Sequence, residues 1–517
     1  MLEPDSKAHG VFFLNSNAQE FNLRSTPEPN LVYRTIGGIL DIYFFPGPTP
    51  EEVIRQYHAF IGKPYLPPYW SLGYQNDMVY RNLVDLQESH NRLKAAGIPL
   101  DVATVSMAMT NGNQDFTIDG NNFANLPQYV QQLNSRNVKI CIELLPAVGA
   151  NTDSFQKALA GGAKFVEWER MDQVPAGAEA TWEHLQGMVV ACQEFNIFGT
   201  PFVGSQICGG GYTGSQELCA RWHQFGALTS FMFTMGAWSA NKDPGSNPTV
   251  GNVTKKALQF RYNYMPYLYT LHHLSSTRGG TVLRPVFFEY PYDTEAQNLN
   301  YQFMLGSAIM AAPVVFPGIT STDVYFPDGN FYSLYEDSYG YQKEAGFTTV
   351  STPLNYNVPV FVKAGNIIPR QKYALTLTDA RKNPFEVLIV PDEDQNANGM
   401  LRWDDGESII QNEIPDSYWD IQYQYSMISL SEGMMFTANV TQSTSSVSLP
   451  PLNILEVFNY QRQPDFGSFK LNGNHVAIDT QHSRYSPITK VMTINTNGLI
   501  QMSSTGLYTL TWKDVIN

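Results

Sequence analysis

The chain has 517 residues, 43% of them hydrophobic and only 15% charged, which excludes a disordered chain and is too long for a single ordinary core. Its 47 acidic residues outnumber 32 basic ones, a formal charge of −15 that repels phosphate backbones and excludes nucleic acid as a partner class. No run of 18 apolar residues occurs, so no transmembrane segment is expected.

In chain order, MLEPDSKAHG has neither a basic head nor an apolar run, so no signal peptide is expected, and the chain reads as a fragment or a spliced product. GVFFLNSN and GGILDIYFF read as strands, and residues 1–45 as a partial β-sandwich with an unpaired sheet edge that favours association. From about residue 66 the runs LPPYWSLGYQ, PLDVATVSM and VKICIELLP read as buried strands. Between and after them, NLVDLQESHNRLKAAG and DSFQKALAGG read as helices with glycine at or beyond the end. Strand, helix, strand at this spacing implies parallel βα units, and a (β/α) barrel over 46–310 is the simplest closure. The fold class is therefore α/β. After 311 the runs are rich in Val, Tyr, Phe and Thr and are broken by PDGN, EDSYG and DEDQNANG, as in β-sandwiches. The polar stretch LTLTDARKN suggests a boundary that gives a proximal β-domain at 311–384 and a distal one at 385–517.

Cys208 and Cys219 flank a Gly-rich loop in which a short ring closes easily, so a disulfide is expected there, and it requires an oxidising compartment. Asn252 and Asn439 head acceptor triplets for N-glycosylation. His223 reads as a packed histidine. His272 and His273 are adjacent, point to different helix faces and cannot chelate together, so neither a metal nor a cofactor is expected.

GVFFLNSNAQEF, YRTIGGILDIYFFPGPTPEEVIRQY, LPPYWSLGYQ, DFTIDGNNF, VGSQICGG, QELCARW, FRYNYMPYLYTLHH, TVLRPVFFEYP and LRWDDGES together resemble glycoside hydrolase family 31, the α-glucosidase and sucrase-isomaltase type. The resemblance implies a barrel preceded by a β-sandwich and followed by two β-domains, in a secreted or secretory-pathway protein. Retaining hydrolysis of an α-glucoside needs two carboxyl groups about 5 to 5.5 Å apart, one a nucleophile and one a general acid and base. The family's nucleophile strand has no counterpart between ELLPAVG and AKFVEWER, and AKFVEWER resembles the strand after it, so the barrel is expected to be one βα unit short. The acid position, counted back from Trp182, falls near Gly177, with Glu179 the nearest carboxylate.

The sugar-binding positions diverge in the same way. Ser106 and Ala108 replace a pair of Asp, Leu145 replaces the Asp before Pro, and Gln206 replaces another Asp. Phe233 and Met235 stand where the family has an Arg and a His. Changes concentrated in the pocket, on a kept scaffold, imply a pseudoenzyme that binds a glycan or a protein partner. Glu143, Glu167 and Glu169 are the candidates for a relocated acid pair in an active α-glucosidase, since Glu167 and Glu169 alternate onto one strand face beside Glu143. A storage or structural role fits the acidic, aromatic composition alone. Trp70, Tyr74, Phe231 and Trp238 are candidates for an aromatic sugar platform. Asp115 reads as a loop hydrogen-bonding residue, and Asp404 and Asp405 as turn residues.

Overall fold

The computed structural model describes residues 1–144, 148–165, 180–210, 214–237, 242–408 and 417–515. Its centre is a five-stranded parallel sheet of β1 (Tyr74–Val79), β2 (Val102–Val105), β3 (Lys139–Ile142), β4 (Gln206–Ile207) and β5 (Met232–Ala237), in the order β3-β2-β1-β5-β4. The helices α1 (Leu83–Ala96), α2 (Leu126–Asn134), α3 (Asp153–Ala160), α4 (Trp182–Ile197), α5 (Gln216–Gly226), α6 (Pro248–Asn263) and α7 (Met265–Arg278) separate and follow the strands. Local chemistry sets their ends. The Asn82 side chain accepts from the Asp85 amide to start α1, and Gly97, at φ 68°, stops it in a left-handed turn that other residues resist.

Period-2 alternation decides which face of each strand is wetted. Tyr74, Asn76 and Met78 point to the helices: the Tyr74 amide donates to Tyr262 Oη on α6, and Asn76 donates to Tyr80 Oη, which donates to Ser89 on α1. Gln75, Asp77 and Val79 therefore face the barrel interior, in register with Phe233, Met235 and Ala237 of β5. Among the described residues β3 and β4 each pair on one side only, so the barrel sheet is open between them.

Below the sheet, at the N-terminal ends of the strands, a polar knot forms the barrel floor. Arg261 on α6 is 2% exposed and donates to the carbonyls of Leu72, Ala227, Thr229 and Ser230. Asp101, fully buried, accepts from Tyr262 Oη and from the Leu377 amide at 2.7 Å.

Sheet membership runs across the boundaries expected at 310 and 384. Leu283–Pro285 opens a six-stranded sheet that continues through Phe303–Leu305, Ile309–Ala311 and Val360–Lys363, so strand pairing of the proximal β-region starts well before 311. An eleven-stranded sheet holds Asn366–Gln371 beside Phe385–Val390, on either side of position 384. The polar stretch read as marking a boundary contains a short helix, Leu377–Ala380, capped by Thr376 and packed under the barrel through the Leu377 amide. Residues 1–45 form two two-stranded ribbons, Gly10–Phe13 with Ile42–Phe45 and Gln19–Arg24 with Asn30–Thr35. Neither has a third strand among the described residues, and Ile36, Ile39, Leu40 and Phe44 are exposed.

Candidate functional site

The candidate site is the mouth of the barrel, where the C-terminal ends of the strands meet. Ser106 directly follows β2, is 5% exposed, and its carbonyl accepts from the Met109 amide in the turn Met107–Met109. Ala108 lies in that turn. Gln206 opens β4 and pairs with Phe233, and its side-chain amide donates to the Met235 carbonyl at 3.4 Å. Phe233 stacks on Phe231 at 4.6 Å between ring centroids, while Met235 is 38% exposed. The structure thus brings Ser106, Ala108 and Met235 toward the exits of the strands, whereas Gln206 and Phe233 lie level with Gln75, Val102 and Lys139 at the strand entrances. None of their side chains carries a charge.

Two carboxylates stand among them. Glu143 follows β3 on the same face as Cys141, and its Oε2 accepts from the Met107 amide at 3.1 Å. Asp77 sits on the interior face of β1 opposite Met235. Burial, and then the nearby charge of Glu143, push the Asp77 carboxyl up to about 6. Asp77 also helps burial raise the Cys141 thiol, so the three groups share one electrostatic neighbourhood. Sequence reasoning missed Asp77. The signal was present in YQNDMV, where alternation sets an aspartate on the face opposite Tyr74 and Met78.

The description "Glycosyl hydrolases family 31 TIM-barrel domain" matches residues 64–176 and 176–271. "Glycosyl hydrolase family 31 C-terminal domain" matches 279–368. The chain belongs to glycoside hydrolase family 31. Among its relatives, "Probable maltase-glucoamylase 2" of Homo sapiens is 26% identical over 628 residues, covering 94% of this chain and 24% of that protein. "Lysosomal alpha-glucosidase" of Mus musculus is 27% identical over 575 residues, covering 79% of this chain and 59% of its own length. The chain therefore spans less than two thirds of these curated relatives. A Flavobacterium johnsoniae family 31 dextranase structure aligns with a TM-score of 0.82 at 20% identity, over 98% of this chain and 78% of that one. The glucosidase II alpha subunit aligns at 0.81 and 16% identity, over 98% of this chain and 70% of that one, which shows a shared fold.

Within this family 31 chain the remaining expected residues do not gather at the mouth. Tyr74 is fully buried on the helix side, where its hydroxyl pairs with Thr234 Oγ1 at 2.5 Å, so it offers no face to a ligand. Trp70 lies in the turn Tyr69–Leu72 that enters β1, at the barrel floor. Of the expected platform, Trp70 lies in the turn into β1, Phe231 directly precedes β5 and Tyr74 is buried on the helix side, so the described members form no platform at the mouth. Leu145, Glu167, Glu169, Gly177, Glu179 and Trp238 lie outside the described residues. AKFVEWER, expected as a strand, has no strand in its described part, 163–165.

Cys208 and Cys219 form a disulfide with their Cα atoms 4.8 Å apart. His223 lies within 4.8 Å of both sulfurs, but with the sulfurs bonded to each other the trio offers a single nitrogen, which is no chelate. Burial lowers His223 to about 4, and its Nδ1 bonds the Cys219 carbonyl at 2.9 Å. His272 Nε2 bonds Ser230 Oγ at 2.8 Å, and His273 is buried against Tyr418, so the adjacent pair diverges. Asp115 is buried in the loop after the Ser106 turn. Asp404 accepts from Tyr269 Oη and the Gly406 amide, each at 2.8 Å, and Asp405 accepts from the Glu407 and Ser408 amides. Asn252 is exposed on α6, whereas its partner Thr254 is fully buried. Asn439 is half-buried in Gly433–Gln442, between two neighbouring strands.

Proposed function

We propose that this family 31 chain is a non-hydrolysing member that uses the barrel mouth to bind a glycan or a protein partner. The observation that supports it is Ser106, Ala108, Gln206, Phe233 and Met235 on the barrel strands and their exits, uncharged side chains at positions where the resemblance calls for groups that grip the sugar. An oxocarbenium-like transition state needs a nucleophile and a proton donor, and the sequence has no counterpart of the family's nucleophile strand between ELLPAVG and AKFVEWER. A protein partner has a precedent in the relatives: glucosidase II has been solved as a complex of its catalytic subunit with the binding domain of a regulatory subunit. Relatives described as lysosomal, and one as an ER enzyme, together with the Cys208–Cys219 disulfide, support a place in the secretory pathway.

A second reading has one observation in its favour. Asp77, pushed up to about 6 by burial and then by the neighbouring Glu143, has the properties of a general acid beside a second carboxyl group, the arrangement a relocated pair in an active α-glucosidase would need. Turnover of p-nitrophenyl α-D-glucopyranoside and maltose by purified protein separates the two, with Asp77→Asn and Glu143→Gln run alongside. The expected outcome is no release above either variant. Release that disappears in one of the variants would sink the non-hydrolysing reading and make Asp77 and Glu143 catalytic.

A further inference from the structure

A cavity lies at the end of the barrel opposite the mouth, between the floor turn and the distal β-region. It encloses about 700 Å³, within the range of small-molecule sites. Trp70 and Tyr69 line one side, Arg381, Lys382 and Trp403 the next, Asp405 and Glu407 a third, and the segment 446–451 closes it.

The walls are held by interactions that need no ligand. Arg381 is sandwiched between the rings of Tyr69 and Trp403, 4.5 and 3.7 Å from their centroids, and donates to the Asp404 carbonyl. The Tyr69 amide donates to the Gly406 carbonyl at 2.8 Å, tying the turn of Trp70 to the turn of Asp405. The indole N–H groups of Trp403 and Trp419 donate to the carbonyls of Ser448 and Val447, which fixes the closing segment. Lys139 reaches down from the barrel interior to pair with Glu407 at 3.0 Å, and its ammonium lies 5.9 Å from the Trp70 ring. A cavity built from fixed elements loses little entropy when a ligand enters.

Its chemistry points to one ligand class. Trp70 supplies a partly exposed indole for the apolar face of a sugar ring. Around it, the cations Arg381 and Lys382 balance the anions Asp405 and Glu407, so no net ligand charge is selected. Lys382 is already paired with Asp379 at 2.7 Å and Glu407 with Lys139, which leaves their remaining lone pairs and protons for hydroxyl groups. Ser446 and Ser448 add hydroxyls at the closing edge. A phosphate or carboxylate ligand would meet Asp405, and a polyamine would meet Arg381. A neutral, polyhydroxylated ring meets complementary groups on each side.

From this arrangement we propose that the cavity at the barrel floor is a saccharide-binding site for a neutral oligosaccharide, stacked on Trp70 and separate from the mouth. The probes are maltotriose, isomaltotriose and cellotriose, titrated against the whole chain and followed by saturation-transfer NMR and tryptophan fluorescence. At least one is expected to bind, with Trp70→Ala weakening it about tenfold, the loss of roughly one stacked aromatic contact. Ser448→Trp, which fills the cavity from its exposed edge without touching the floor, is expected to abolish binding even if Trp70→Ala proves unstable. Met235→Ala at the mouth is expected to leave it unchanged. No response to any trisaccharide, or binding that survives Ser448→Trp, overturns the proposal. Binding lost in Met235→Ala but kept in the floor variants overturns it too, while leaving the mouth reading intact.

Discussion

At the floor of the barrel the Arg261 guanidinium donates to the carbonyls of Leu72, Ala227, Thr229 and Ser230, which enter β1 and β5. At the mouth, the interior-facing side chains near the exits of the same two strands, Val79 and Met235, are an isopropyl group and a thioether, both exposed. The two ends belong to one sheet, so the contrast separates what the fold requires from what the site requires. Polar groups that tie backbone carbonyls remain where their loss would leave buried acceptors unsatisfied, each costing about 1–3 kcal/mol. At the mouth Glu143 ties one backbone amide, that of Met107, where Arg261 ties four carbonyls, so replacing a polar group there costs the fold less.

That comparison can be broken from the floor upward. Arg261→Met leaves several buried carbonyls without a donor, and a loss of about 3–5 kcal/mol is expected in urea unfolding, enough to prevent folding at 37 °C. A cost under about 1 kcal/mol would show that water replaces the guanidinium and that the floor is not the anchor. Next in size is Asp77→Asn, with the opposite sign. The folded pKa of Asp77, about 6, lies above the unfolded value near 3.9, so its contribution is most favourable below about pH 4 and is lost as pH rises through 6. Removing the charge is therefore expected to stabilise the protein by about 1–2 kcal/mol at pH 7.5, discounted for partial exposure, and by almost nothing at pH 4. A pH-independent difference between the two melting curves would remove Glu143 and burial as the cause. Smallest is Met235→Ala, expected to change stability by about 1 kcal/mol or less, since the side chain is 38% exposed. A larger loss would mean that the mouth is packed as a core and is not free to bind.

The chain's own chemistry made much of the fold legible. Asn82 and Gly97 bracket NLVDLQESHNRLKAAG, and the helix runs from Leu83 to Ala96 between them. PLDVATVSM and VKICIELLP contain β2 and β3 because short β-branched runs between helices have few other solutions. What stayed hidden was which face of a strand meets the helices. In a parallel strand both faces carry apolar groups, so Tyr74 looked as available as Met235 until α6 placed Tyr262 beside it. Asp77 escaped because its neighbour Glu143 lies two strands away and is adjacent only in the folded sheet. LTLTDARKN read as marking a boundary because its polar groups are spent on caps and on Asp101, contacts that local sequence does not display.

Those contacts beneath the barrel have a consequence for cooperativity. The Leu377 amide ends on Asp101, the Leu100 amide on the Leu375 carbonyl, and the Tyr69 amide on the Gly406 carbonyl, so residues from opposite halves of the chain complete each other's backbone hydrogen bonds. Neither half can open without exposing donors and acceptors of the other. Barrel and distal sheet also share one contiguous apolar cluster, so they are one melting unit, and a cut between them would yield two insoluble pieces rather than two domains.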